Sequence, residues 1–141
     1  MKINYWLLKS EPSTWSWENQ VKADIEMWDG VRNYQARNNL MNMKKKDLCF
    51  FYHSVFEKKI IGIVEVVREH YPDPTDKDGR FVVTDVKTKR KLKRPVSLEE
   101  IKKTPKLSDM ALIKQSRLSV MPLKKIEWDF ILKLSQKKNN E

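Results

Sequence analysis

Apolar and polar positions change period many times along this chain, marking a series of short elements. "INYWLLK" (residues 3–9) has strand composition, and the proline of "SEP" stops it. Ser16 is placed to cap a short helix over "WENQVKA". "EMWDG" reads as a brief extended piece ending in a glycine turn, and Asn33 caps a second helix through "YQARNNLMNM", which "KKKD" closes. "DLCFFYHS" and "KIIGIVEVVREH" are strong β runs joined by a short polar link, which predicts a hairpin. "YPDPTDKDG" is a loop. "RFVVTDVKTKRKLK" predicts a long, bent, basic strand ended by Pro95. Ser97 and Glu100 then form a capping box for "LEEIKK". "LSVMPL" is a short strand, and "KKIEWDFILKLS" a closing amphipathic helix with Ile126, Phe130, Ile131 and Leu134 at helical spacing.

Five or six mostly antiparallel strands with a few short helices make this an α+β chain: a curved sheet or small β-barrel with helices at its edges. A length of 141 residues suits one domain, drawn over 1–135, with a polar tail at 136–141.

Composition narrows the chemistry. Lys and Arg number 29 against 19 acids, a net charge of +10, which attracts polyanions, nucleic acid first and anionic lipid next. The lone Cys49 excludes an intrachain disulfide or a Cys-rich zinc site and reads as a buried, inert thiol. Two histidines, with no HxxxH or CxxC spacing, supply no metal site, and the acids of "DPTDKDG" miss the calcium-loop spacing. Three glycines exclude a Gly-rich phosphate loop or a dinucleotide fingerprint, so no cofactor is expected. No apolar run approaches the ~20 residues of a membrane span, and the N-terminal apolar stretch is too short for a signal peptide. The expectation is a soluble, monomeric, cytoplasmic protein, or a nuclear one if its source is eukaryotic.

Five segments carry candidate chemistry. In "WDGVRNYQARNNL" (28–40), Trp28 precedes the Gly30 turn, where it either walls a stacking slot or fills the core. On a helix from 34, Tyr34, Arg37 and Asn38 share one stripe, and Gln35, Asn39 and Asn42 another. Amides pair bidentately with base edges, and guanidinium reaches phosphate or stacks on a base; the bland alternative is a solvated, capped face. In "LKSEP", strand alternation puts Lys9 and Glu11 on one face and Ser10 on the other, either as a strand-end charge pair or as an acid–base pair for hydrolysis. "FYHS" sends Tyr52 and Ser54 one way and His53 the other. "KTKRKLKRP" offers Lys89, Arg90, Lys91, Lys93 and Arg94 to phosphates, or serves as a Lys-rich edge that resists aggregation. "KQSRLSV" adds Gln115, Ser116 and Arg117 ahead of a strand.

The motifs "YWLLKSEPSTWSW", "WDGVRNYQARNNLMNMKKKDLCFFYHS", "GIVEVVREHYPDPT", "KLKRPVSLEEIK" and "MALIKQSRLSVMPL" resemble, in this order, the EVE domain family, also called the thymocyte nuclear protein 1-like family. The resemblance implies a PUA-like fold related to the YTH and ASCH domains. It also implies nucleic-acid binding, with a modified base, such as a modified cytosine in DNA or a modified base in RNA, flipped into a pocket. Carried over by position, that pocket uses Lys9, Ser10 and Glu11, then Trp28, Gly30, Val31, Arg32 and Asn33. Gln35, Arg37, Asn38, Tyr52, His53, Ser54, Gln115 and Arg117 complete it. This chain has Phe81 where relatives often carry Trp. Two rival functions follow from the same residues. One is a nucleoside hydrolase using Lys9 and Glu11, as in some ASCH relatives. The other is an aromatic cage for a methylated amine built from Trp28, Tyr52 and Glu11, which a basic protein disfavours.

Overall fold

The computed structural model describes residues 2–137; Met1 and 138–141, the end of the polar tail, lie outside the described residues. Its strands are β1 (Tyr5–Ser10), β2 (Ile25–Met27), β3 (Leu48–His53), β4 (Lys59–Pro72), β5 (Val82–Ser97) and β6 (Val120–Leu123). Its α-helices are α1 (Trp17–Ala23), α2 (Tyr34–Asn42), α3 (Leu98–Lys102), α4 (Ala111–Lys114) and α5 (Lys125–Ser135). The strands form one sheet in the order β2-β5-β4-β3-β1-β6. It is an α+β, PUA-like fold in which the sheet curls without closing its ladder, so β2 and β6 remain edges.

Only β1 and β3 run parallel; the other pairings are antiparallel. The parallel pair needs a long crossover, which α1, β2 and α2 supply. Consequently the C-terminal ends of β1 and β3 lie side by side, with Ser10 opposite His53. The β4–β5 hairpin curves because its register shifts four times, between Ile60 and Gly62, Ile63 and Val64, Val66 and Arg68, and Arg68 and Tyr71.

Side-chain alternation on β3 divides the core. Phe50 faces α5 and stacks on Trp128, with ring centroids 3.8 Å apart. Phe51 faces the other way and takes the edges of Trp17 and Trp28 at 5.3 and 5.6 Å. Trp17 lies directly over Gly62, where a Cβ would come within 2.7 Å of its Cζ2 atom. Buried Asp47 ties β1 to the start of β3, accepting from the Asn4 N–H, Trp6 Nε1 and the Lys44 N–H at 3.0, 3.0 and 2.9 Å. Cys49 is fully buried, and burial pushes its thiol pKa up, which keeps it inert.

Several local expectations change. Pro95 does not end the basic strand: β5 continues to Ser97, because residues 92–95 bulge out of the ladder between Lys91↔Gly62 and Val96↔Ile60. In that bulge proline's missing N–H costs no ladder bond. The capping box at Ser97 is only half made. Ser97 Oγ accepts from the Glu100 N–H at 3.0 Å, but the Glu100 carboxylate turns to Arg94 at 2.7 Å. Ile126 is 63% exposed, and the buried stripe of α5 runs through Trp128, Ile131 and Leu134. "KTPKLSDMALIK" folds as a 3-10 turn over Pro105–Leu107 followed by α4, pieces too short to show a period.

Candidate nucleic-acid interface

A cleft of about 320 Å³ opens where β1 ends and where the chain leaves β2. From the first strand and its turn come Lys9, Ser10, Glu11 and Trp15; from the second come Glu26, Met27 and the loop Trp28–Arg32; Ser119 closes the far side.

The turn after β1 is rigid. The Thr14 and Trp15 N–H groups donate to the Glu11 carbonyl at 2.9 and 2.8 Å, and the Ser10 hydroxyl donates to the Trp15 carbonyl. Trp15 is half-buried and fixed by its Nε1–H, which donates to Gln20 Oε1 at 2.9 Å. Across the cleft, Trp28 is 7% exposed. Its N–H donates to the Thr84 carbonyl at 2.8 Å. Gly30 makes the turn with φ of 77°, a left-handed conformation in which any side chain would be strained.

One buried carboxylate holds this loop in place. Asp73 Oδ2 accepts from the Gly30 N–H at 3.0 Å and from Arg32 Nη1 at 3.1 Å, while Asp73 Oδ1 accepts from the Thr75 N–H at 2.7 Å. Burial by itself would raise the Asp73 pKa, but hydrogen bonds from the Thr75 hydroxyl and N–H, from Gly30 and from Arg32 outweigh it and hold the carboxyl below its usual range. Arg32 Nη2 also donates to Thr75 Oγ1 at 3.0 Å, so its guanidinium lies at the rim in a fixed orientation.

The cleft's charge opposes that of the whole chain. Two cations, Lys9 and Arg32, face three carboxylates, Glu11, Glu26 and Asp29, a local balance of −1 in a protein of +10. Burial, then the Asp29 charge, raises the Glu26 pKa. Lys9 Nζ donates to the Ser116 carbonyl at 2.6 Å, and burial lowers its pKa. The cleft therefore suits a neutral, flat group carrying hydrogen-bond donors better than it suits a phosphate.

Of the residues singled out in the sequence, Lys9, Ser10, Glu11, Trp28, Gly30, Val31 and Arg32 meet in this cleft. Asn33, Gln35, Gln115 and Arg117 line a neighbouring recess of about 370 Å³, joined to the first through the Lys9–Ser116 bond. The Asn33 side chain is spent capping α2, accepting from the Ala36 N–H at 2.9 Å. Arg37 and Asn38 turn elsewhere: Arg37 covers the Tyr34 ring at 4.8 Å and donates to Asn38 Oδ1 and to the Arg80 carbonyl.

Tyr52 and His53 lie behind the cleft in the core. Burial lifts the Tyr52 pKa to about 12. His53 Nε2 accepts from the Trp17 N–H at 3.0 Å, which leaves the ring proton on Nδ1 to donate to Glu57 at 3.0 Å. Ser54 contributes only its N–H, which donates to the Ser10 carbonyl at 2.9 Å.

In the basic run, Arg90, Lys91 and Lys93 are exposed, and Lys89 pairs with Glu65 at 3.1 Å. Arg94 is half-buried and committed to Glu100 and to the Leu134 carbonyl, each at 2.7 Å. No group of three or more His, Cys, Asp or Glu residues stands close enough to hold a metal among the described residues. Nor is any described helix long and apolar enough to cross a membrane.

Sequence reasoning missed Trp15, Glu26, Met27, Asp29 and Ser119 in the cleft, and Asp73 behind it. Trp15 and Ser119 lie within motifs that were singled out, whereas Asp73 is one of three similar acids in a loop and carries no local signal.

The family model described as the EVE domain matches residues 4–134. Thymocyte nuclear protein 1 of Mus musculus is 37% identical over 94% of this chain and 74% of its own length. A solved structure from Rhodopseudomonas palustris superposes with a TM-score of 0.89 at 47% identity, covering 99% of each chain. Human THYN1, solved in complex with 5-methylcytosine-containing DNA, superposes with a TM-score of 0.89 at 35% identity, covering 96% of this chain and 99% of that one.

Proposed function

This chain belongs to the EVE domain family, and from that premise we propose that it binds nucleic acid by taking a modified base, of the 5-methylcytosine type, out of the stack and into the cleft between β1 and β2. The observation that carries this reading is the reversal of charge. A protein of +10 places a mildly acidic, tryptophan-lined cleft within a cationic surface. Cytosine presents an exocyclic amino donor for which carboxylates are the matching acceptors, and Glu11, Glu26 and Asp29 supply them. The Met27 and Trp28 side gives an apolar surface to a 5-substituent. The likeness to human THYN1, whose complex contains 5-methylcytosine DNA, supports the choice of base.

Phosphates stay outside. Arg32 at the rim, Arg117 and Gln115 in the second recess, and Lys89, Arg90, Lys91 and Lys93 on β5 hold the backbone on either side. Removing a base from its stack costs a few kcal/mol, and stacking against an aromatic returns ~1–3 kcal/mol. The hydrogen bonds of the cleft supply the remainder.

Indole N–H resonances test the assignment. The chain has five tryptophans. On titration with a 5-methylcytosine duplex, the resonances of Trp15 and Trp28 shift, while those of Trp6 and Trp128, buried away from the cleft, stay in place. Shifts confined to residues of β5, with Trp15 and Trp28 unmoved, would place the contact on charge alone.

Hydrolysis at the same cleft is the second reading. The lowered pKa of Lys9 favours it, since Lys9 and Glu11 share the cleft. Turnover of an alkylated or acylated nucleoside, lost in Lys9→Ala, would establish it. The methylated-amine cage of Trp28, Tyr52 and Glu11 is not assembled, since Tyr52 sits in the core.

A further inference from the structure

The β3–β4 turn carries a residue that neither the fold nor the cleft uses. Phe56 is 91% exposed, the highest exposure among the large apolar residues of the described chain. Its neighbour Val55 is 47% exposed, so this loop tip presents two adjacent apolar side chains to solvent. The turn beneath it is nonetheless held firmly. The Ser54 N–H donates to the Ser10 carbonyl at 2.9 Å, and the Phe56 N–H donates to the Ser54 carbonyl at 3.0 Å. His53 Nδ1 clasps Glu57 at 3.0 Å while its Nε2 accepts from α1. The Leu98 N–H donates to the Lys58 carbonyl at 2.8 Å. Val55 is held at φ of 75°, a conformation unfavourable for a β-branched side chain, and Lys58 at 52°. A turn fixed at this local cost presents Phe56 in one direction.

That turn springs from the edge of the cleft. Ser10 lines the cleft and bonds directly to Ser54. Phe56 is two residues further on, so its Cα lies within about 8 Å of that of Ser54, at 3.8 Å per residue. A base leaving a duplex opens a gap about one stacking step deep, and apolar side chains that enter such gaps keep the duplex open. Lys58 and Lys59 follow Phe56 and are exposed, which places positive charge where flanking phosphates would lie.

We infer that Phe56 is a wedge: it enters the duplex at the site of the extruded base and holds the gap while the base occupies the cleft. This rests on the base-binding reading above and adds a second element to it, the β3–β4 turn, with duplex nucleic acid as its occupant. The wedge acts on stacked duplex and has no task on a single strand.

Phe56→Ala and Phe56→Trp, each in the full chain, test this against two 5-methylcytosine oligonucleotides, one duplex and one single-stranded, with 2-aminopurine beside the modified base. The expected result is that Phe56→Ala weakens duplex binding about tenfold, the worth of one aromatic stack. It also abolishes the rise in 2-aminopurine fluorescence that the wild type causes in the duplex. Single-strand binding stays within twofold, and Phe56→Trp restores both duplex readouts. If the wild type opens the duplex and Phe56→Ala opens it equally well, the wedge is overturned and the cleft reading stands. If the wild type causes no fluorescence rise and shows no preference for the modified base, both are overturned.

Discussion

At Asp73 one buried carboxylate sets the shape of a loop it does not belong to, accepting from Gly30, Arg32 and Thr75. Asp73→Asn removes the ion pair to Arg32 and leaves donors short of an acceptor, a loss of about 1–3 kcal/mol for such a buried group. Thermal unfolding should show that loss, and the variant should also lose preference for a modified base, because the Trp28–Arg32 loop is no longer pinned. The sign of the pH dependence follows from the depressed pKa. A carboxyl whose folded pKa lies below its ordinary 3.8 contributes stability above that value and loses it as pH falls through the folded pKa. The stability gap between wild type and Asp73→Asn should therefore be constant above about pH 5 and shrink below about pH 4. A gap independent of pH down to acid unfolding would show that the Asp73 charge does not matter. Nothing in the sequence singles out Asp73 from Asp76 or Asp78, because its partners are 41 and 43 residues away. Trp28, by contrast, was legible as a core residue or as a stacking wall; in the fold it packs on Phe51 and also lines the cleft, where the stacking role belongs to the proposed function.

Elements with a clear period were legible. α1, α2 and the closing helix start where Ser16, Asn33 and the "KKIEW" pattern place them, and β3 and β4 form the predicted hairpin. What failed was local inference where tertiary context decides. Pro95 reads as a stop, yet a bulge removes its need for an N–H. "FYHS" reads as a pocket edge by alternation, yet the chain turns after His53 and buries Tyr52 behind the cleft. The parallel β1–β3 pairing that aligns the two strand ends is nonlocal and has no signature in either strand. Gly62 shows the same limit. In sequence it is a glycine inside a strand; in the fold it is the seat of Trp17, which the helix α1 delivers across the sheet. Gly62→Ala drives a methyl group into that ring and should cost about 1–3 kcal/mol by overpacking. Denaturant unfolding reads this as a lower midpoint with unchanged slope. An unaltered midpoint would mean that α1 contributes little to the stability of the sheet.

Over the whole molecule, charge is segregated. The surface is cationic, and the exposed part of β5 concentrates Arg90, Lys91 and Lys93, while the cleft carries a balance of −1. On the proposed function, two kinds of binding follow, with different responses to salt. Contacts between cations and phosphates release counterions, so affinity falls steeply as salt rises. Recognition of a base inside the cleft involves no phosphate, and it should not share that dependence. The sequence alone predicted the cationic surface from composition, but the acidic interior of the cleft required the fold, since Glu11 follows β1 while Glu26 and Asp29 come from β2 and the loop after it.

The most direct measurement is the affinity of the purified protein for two duplexes identical except for one 5-methylcytosine, taken at low and at moderate salt. The account predicts that both affinities fall steeply with salt while their ratio stays near tenfold, ~1.4 kcal/mol, at both concentrations. A ratio of one at either salt, with only the common affinity changing, would contradict it and leave a protein that binds nucleic acid by charge alone.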